Sequence, residues 1–232
     1  MCTVSWAYTR AGYELYCNRD DKKTRSKAKP PELRNSEGVA YISPTDTQAG
    51  GTWIAVNEYG IALCLLNGPS DARSYDSSRG GIIPAVMGAR DRTDAVARLR
   101  TMQLSMYAPF TLAVLSRDAA PAVIRNFGEN AGAGMPLISS SLDLPTVETM
   151  RRRAFASAAS LLQFHASHDN GPSAYSPCMH RPDAETVSFS HIVVAANHVH
   201  FSYTPHAPCI PSSLSRSLHL LARTSPALQP AR

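Results

Sequence analysis

The chain opens Met1-Cys2-Thr3-Val4-Ser5-Trp6, which places a thiol second. An initiator methionine is removed when the next side chain is small, and cysteine qualifies, so the mature polypeptide is expected to begin at Cys2. A terminal cysteine carries a thiol that titrates at about 8.5 and an α-amine that titrates at about 7.7–8.0. Near neutral pH the amine can take the thiol proton and later return it to a leaving group, so one residue supplies both nucleophile and base. Against this stands the plain alternative of a small residue behind an initiator methionine.

That chemistry needs partners, and the surrounding pattern says where they come from. Residues 2–7 and 13–18 alternate as strands, with Cys2, Val4 and Trp6 on one face of the first and Tyr13, Leu15 and Cys17 on one face of the second. Arg10-Ala11-Gly12 reads as the turn between them. A hairpin therefore returns Asn18-Arg19-Asp20-Asp21 to the neighbourhood of Cys2. Further strands are expected at 39–43, 52–56 and 61–66, the last ending in Asn67-Gly68-Pro69. An amide at such a strand end can donate to a developing oxyanion, although the same residue also serves as an ordinary turn former.

The rest of the chain supplies the frame. The polar, proline-interrupted stretch 21–38 reads as a long loop of the kind that covers or contacts substrate. An apolar segment at 82–87 and a helix from Asp91 or Thr93 to about Met106 precede strands at 110–116 and 122–127, with a loop at 128–134. One long helix is expected over 145–162, with Arg151-Arg152-Arg153 on its wet face. A polar loop at 168–176, strands at 186–195 and 198–203, a short helix at 214–221 and a mobile end at 224–232 complete the reading. Hairpin-built strands with helices grouped between them predict an α+β fold of stacked antiparallel sheets covered by helices, with residues 2–209 as one domain and 210–232 as a Ser/Pro-rich tail.

Composition narrows the classes. The chain has 232 residues, 44% of them hydrophobic, enough for a sizeable core, and no apolar run of the roughly twenty residues a spanning helix needs. Five scattered cysteines, an odd number, point to reduced thiols in a cytoplasm. The net charge is +5, but all four lysines fall in 22–29 and no basic stripe is interleaved with aromatics, so nucleic-acid binding is not expected. No dinucleotide fingerprint or phosphate loop is present and no cofactor is implied. Cys178 and His180, like His198 and His200, are spaced so that a strand would put each pair on one face, but the simpler reading is hairpin alternation, and no metal is expected. His180 or His191 could act as a general base for Cys2, a role the α-amine already fills.

Together, Met1-Cys2, Cys17-Asn18-Arg19-Asp20-Asp21, Gly50-Gly51-Thr52-Trp53 and the strand ending in Asn67 resemble the NRDE family, the family of transport and Golgi organisation protein 2. Ser78-Arg79-Gly80, Ser139-Ser140-Ser141 and Cys178-Met179-His180-Arg181 extend the likeness toward Cys209, and Asp21 departs from the family's final Glu. That family is similar to N-terminal nucleophile hydrolases of the penicillin V acylase and bile salt hydrolase branch. The resemblance implies a four-layer αββα sandwich and cleavage of a non-peptide amide through an acyl-enzyme. It implies Cys2 as nucleophile and base, Arg19 steadying the thiolate, Asp20 or Asp21 holding the α-amine and Asn67 facing the oxyanion. It also puts Asn18, Trp53, Ser140 and Arg181 on the substrate side. The branch has a second oxyanion asparagine where this chain has Ser139-Ser140-Ser141-Leu142-Asp143. That departure weakens the catalytic expectation, and because the family's animal member is associated with lipid and haem handling, the resemblance also implies a rival, a non-catalytic binding or trafficking protein for haem or acyl lipids on the same fold.

Overall fold

The computed structural model describes residues 2–128, 134–168, 171–211 and 216–224. The first hairpin forms as the alternation predicts, from β1 (Cys2–Thr9) and β2 (Gly12–Lys22), and its register sets Cys2 opposite Arg19. Gly12 is required at the turn, since a Cβ there would lie 1.9 Å from the Val194 carbonyl oxygen. Next come β3 (Lys29–Ser36), β4 (Val39–Thr45), β5 (Ile54–Asn57) and β6 (Ala62–Asn67). Helices α1 (Ile82–Val86) and α2 (Arg92–Thr101) lead to β7 (Phe110–Ser116), β8 (Ala119–Arg125) and β9 (Leu137–Ser139). Helices α3 (Leu144–Ser157) and α4 (Leu161–Ala166) precede β10 (Ala184–Val194), β11 (His198–Thr204) and β12 (Ser217–Ala222).

These strands make two six-stranded antiparallel sheets, ordered β12-β11-β10-β2-β1-β9 and β3-β4-β5-β6-β7-β8. The inner faces meet through Val4, Trp6, Leu15, Ile54, Cys64 and Phe201, all buried. Helices α1 and α2 cover the second sheet through Ile82, Ile83, Val86, Ala95 and Leu99, packed on Leu63, Leu112 and Val114. Helices α3 and α4 lie on the first sheet, so the α+β sandwich has the order helix, sheet, sheet, helix.

Three expectations are corrected. The stretch 21–38 is not a loop: β2 runs on to Lys22, and Lys29–Ser36 is an edge strand turned into β4 by Glu37-Gly38, both at positive φ. Its alternation is hidden because most of both faces is wet, and Pro30-Pro31 sit where the register shifts between Lys29 and Glu32, a place that does not need their missing N–H groups. The long helix breaks at Ala158, which is extended, and restarts when Ser160 accepts from the Gln163 N–H. The expected helix near 214–221 is β12, paired to β11 over Ser217–Ala222, with Leu218 and Leu220 facing outward. Residues 129–133, 169–170, 212–215 and 225–232, on which parts of the loop, helix and mobile-tail expectations fall, lie outside the described residues.

The helix-facing side of the first sheet is polar. Thr3, Ser5, Asn18 and Asp20 are fully buried there. Arg151 was expected on a wet face, but with Val147 and Ala154 it forms the buried stripe of α3, while Arg152 and Arg153 stay exposed. Its guanidinium bonds to Thr3 Oγ1, donates to Asp20 Oδ2 at 3.2 Å and reaches the Ala174 carbonyl at 3.4 Å. From α4, His165 bridges Ser5 Oγ at 2.8 Å and Asn18 Oδ1 at 3.0 Å. Burial, with the Arg151 charge and His191 behind it, lowers the His165 pKa to about 3, so the ring is neutral.

Replacing Arg151 by Met leaves the Asp20 carboxylate buried without its counter-charge and is expected to cost about 3–5 kcal/mol in urea denaturation. For His165 the folded pKa lies below the unfolded one, so the unfolded chain binds the extra proton and stability falls as pH drops below about 6.5. The loss reaches about 2 kcal/mol by pH 5. In His165→Gln that part of the pH dependence disappears; an unchanged slope between pH 6.5 and 5 would contradict a buried neutral ring.

Candidate active site

Alternation along β1 turns Cys2 to the inter-sheet side, at the end of the sandwich, where it is 6% exposed. It lines a cleft of about 210 Å³ together with Arg19, Asp20, Asp21, Trp53 and Asn67. The sequence-predicted catalytic set is thus gathered around one small space. Hydrogen bonding with Cys17 and then burial push the Cys2 thiol well above its ordinary pKa, so at neutral pH it is held protonated. Attack from this sulfur needs a base.

Opposite Cys2, β2 delivers Arg19, whose guanidinium carbon lies 4.1 Å from the centre of the Trp53 ring. Its Nη2 meets Asp21 Oδ2 at 3.0 Å and Asp46 Oδ2 at 2.9 Å. Arg25 closes the cluster at 3.1 Å from Asp21 and 2.7 Å from Asp46. Burial pushes the Asp46 carboxyl up, but the Arg25 bond and the Arg19 charge outweigh it and the net shift is downward. Two arginines and two carboxylates therefore balance, and Arg19 is clamped on three sides.

The Cys2 nitrogen donates to Ser139 Oγ at 2.9 Å, because β9 runs beside β1 and sets Ser139 across from Cys2. Of the two carboxylates expected at this amine, Asp20 or Asp21, the second is engaged with Arg19 and Arg25. Asp20 lines the cleft, and its carboxylate is bound by Arg151 and by Thr186 Oγ1 at 2.7 Å. Asn67 ends β6 and is exposed at the junction of the cleft with a larger cavity of about 390 Å³. Ser140 and Arg181 line that second cavity, where Arg181 forms a bidentate pair with Asp183 at 2.9 and 2.7 Å. Asn18 is misplaced by the sequence reading. It points to the helix side, fully buried, donating to the His165 and Pro177 carbonyls at 2.8 Å each, and lines neither cavity.

Sequence reasoning gave no role to three cleft residues, Arg25, Asp46 and Arg79, nor to Ser139, which bonds the Cys2 nitrogen. Asp46 and Arg25 left no pattern, since their pairing needs the turn after β2 to meet the end of β4. Ser139 belonged to a recognised run, but only the pairing of β9 with β1 separates it from Ser140. Arg79 was noted in Ser78-Arg79-Gly80 without a role. Half-buried, it donates to the Pro109 carbonyl at 2.7 Å and lines both cavities, and burial lowers its pKa while the nearby Cys2 and Tyr75 oppose that shift. What brings Arg79 to Trp53 is a crossing of two glycines, with Thr52 N–H donating to the Gly80 carbonyl at 3.1 Å.

Among the described residues, no metal-ligand set includes Cys2. His198 and His200 stand on β11, and His198 bonds Asn197, without further ligands gathered about them among the described residues. Cys178 and His180 instead meet His168 and Cys209 outside the Cys2 cleft.

A family model described as transport and Golgi organisation 2 matches residues 1–158. No curated protein sequence matches the chain. Among solved structures, a penicillin V acylase from Agrobacterium tumefaciens is similar over 96% of this chain and 86% of its own, at 11% identity and a TM-score of 0.53. An N-acylethanolamine-hydrolyzing acid amidase ortholog from Caenorhabditis elegans matches over 94% and 100%, at 11% identity and 0.49. The C2A mutant of a conjugated bile acid hydrolase from Clostridium perfringens matches over 96% and 92%, at 7% identity and 0.47. The first of these shows a shared fold.

A Cβ on Gly51 would lie 2.3 Å from the Gly80 carbonyl carbon, so Gly51→Ala must push the two segments apart. We expect a loss of about 1–3 kcal/mol in thermal or urea unfolding. Gly81→Ala, whose Cβ would meet nothing within 4 Å, serves as the control and should stay within about 0.5 kcal/mol of the parent.

Proposed function

The chain belongs to the transport and Golgi organisation 2 family, and on that footing we propose that it is a cysteine amidohydrolase of the N-terminal nucleophile type, acting on a small non-peptide amide. The observation that carries this reading is the setting of Cys2 directly across from Arg19, in one cleft with Asn67. Once Met1 is removed, the Cys2 α-amine takes the thiol proton and Sγ attacks the amide carbonyl. The carbonyl oxygen gains charge facing the Asn67 amide, and the half-buried Arg79 adds positive potential near the sulfur. Collapse breaks the C–N bond, the ammonium returns its proton to the departing amine, and a thioester remains on Cys2. Water, deprotonated by the same amine, then releases the acid and restores the thiol.

The raised thiol pKa supports this division of labour, because a sulfur that is protonated at rest needs a base within reach. Ser139 Oγ, already hydrogen bonded to the Cys2 nitrogen, would orient it. Asp20, whose charge reaches Cys2, is the better candidate than Asp21 for the carboxylate facing the ammonium. Arg19 keeps its role beside the sulfur, Trp53 packs the floor, and Ser140 and Arg181 would meet the substrate in the larger cavity. The five free cysteines support a cytoplasmic setting, and no helix among the described residues is long and apolar enough to cross a membrane.

One observation favours a second reading, a carrier of haem or acyl lipids that does not turn over. Ser139 is occupied by the Cys2 nitrogen, and among the described residues no second asparagine lines the cleft, so Asn67 stands there as its one side-chain amide. A missing oxyanion donor costs about 10²–10³ in turnover.

The test is intact mass after exposure to a panel of amides and lactones. The hydrolase reading expects a chain lacking Met1 and an acyl adduct that Cys2→Ala abolishes, with Asn67→Ala lowering turnover about 10²–10³-fold. Retained Met1 on the purified protein rules out the mechanism. Saturable binding of haem or an acyl lipid without any adduct establishes the carrier instead.

A further inference from the structure

His168, Cys178 and His180 come from the connection before β10 and Cys209 from the one after β11, yet their ligand atoms all lie within 4.8 Å of one another. His180 Nε2 is 3.6 Å from Cys178 Sγ and 3.4 Å from Cys209 Sγ. For a tetrahedral zinc with Zn–S of about 2.3 Å and Zn–N of about 2.0–2.1 Å, the sulfur-to-nitrogen edges are about 3.5 Å. The His168 and His180 rings are tilted at 59° with centroids 5.1 Å apart, so they do not stack face to face. We propose that these four side chains bind one zinc ion as a closed Cys2His2 site, which ties the segment before β10 to the segment after β11.

The donor set selects the ion. Two thiolates and two neutral imidazoles leave a zinc site with no net charge, and two sulfurs with two nitrogens in a tetrahedral array suit zinc far better than magnesium or calcium, which take oxygen. Binding converts both thiols to thiolates and releases their two protons to water. Four protein donors leave no open coordination position, so the site is structural and takes no part in the chemistry at Cys2. None of the four lines the Cys2 cleft, and all lie beyond residue 158, where the family match ends.

The location gives the ion something to do. Between α4 and β10 the chain from 167 to 183 contains no helix or strand among its described residues. Stretches of that length are uncommon in compact domains without an additional tie. Cys178 is fully buried, while His168, His180 and Cys209 are half-buried, open enough for an ion to enter. The same segment touches the Asn-Arg-Asp run from outside: the Pro177 carbonyl accepts from Asn18, and Met179 N–H donates at 2.8 Å to Thr186 Oγ1, which in turn donates to Asp20.

The test uses the full chain. Protein purified with zinc present should carry one zinc per chain by elemental analysis. After chelation and reloading with cobalt(II), it should show the visible bands of tetrahedral cobalt and a thiolate-to-cobalt charge-transfer band. Cys209→Ser and His180→Ala should lose the metal, and the chelated parent should melt several degrees lower, whereas Cys2→Ala should keep both zinc and the cobalt spectrum. The cobalt readout on the unaltered chain stands even if a variant fails to fold. The proposal is overturned if the parent neither holds zinc nor develops the cobalt bands, if Cys209→Ser binds metal as the parent does, or if protein prepared without oxygen contains a Cys178–Cys209 disulfide in place of the ion.

Discussion

A slip of one residue between β1 and β2 would exchange every side chain between the two faces of the first sheet, and both faces are buried. The observed register sends Cys2, Val4, Trp6, Cys17 and Arg19 toward the second sheet and Thr3, Ser5, Asn18 and Asp20 toward the helices. The Asn-Arg-Asp run is therefore shared by two structural tasks. Arg19 stands beside Cys2, whereas Asn18 fastens α4 and the chain before Cys178, and Asp20 anchors α3 while lining the cleft. A motif that looks like a single constellation in the sequence is half site and half scaffold.

The two helical layers are held by different forces. On the second sheet, α1 and α2 pack aliphatic side chains on aliphatic side chains, a contact that tolerates small shifts. On the first sheet, α3 and α4 are fixed by directional bonds from Arg151 and His165 to Thr3, Asp20, Ser5 and Asn18. Buried polar contacts add little net stability when complete but are costly to break. That layer fixes orientation more than it supplies stability, which suits the side of the sheet that presents Asp20 to the cleft.

Much of this architecture could be read from local patterns. Alternation over residues 2–7 and 13–18 located the hairpin and hence Cys2 and Arg19, and the strand before Asn67 located the amide at its end. What escaped was whatever depended on partners distant in sequence. Edge strand β3 has little apolar alternation to betray it, being wet on most of both faces, and in β12 the alternating Leu218 and Leu220 face outward instead of marking a core face. The break at Ala158 was invisible because Ala158, Leu161 and Leu162 continue the helical spacing of Val147 and Ala154 in the sequence, although Leu162 is exposed in the structure. Arg151 was indistinguishable from its two neighbours until the helix phase met the buried Asp20, and His168 looked isolated until the chain brought Cys178, His180 and Cys209 beside it.

Cys2, Cys17 and Cys64 form a row of free sulfurs from the cleft into the gap between the sheets, each thiol in contact with the next. Only the outermost touches a space that small molecules can enter, and the two behind it are essentially sealed. An electrophile arriving from solvent thus encounters a queue in which the leading member shields the others from alkylation and peroxide. Folding itself imposes a rank order of chemical vulnerability on three side chains of identical composition.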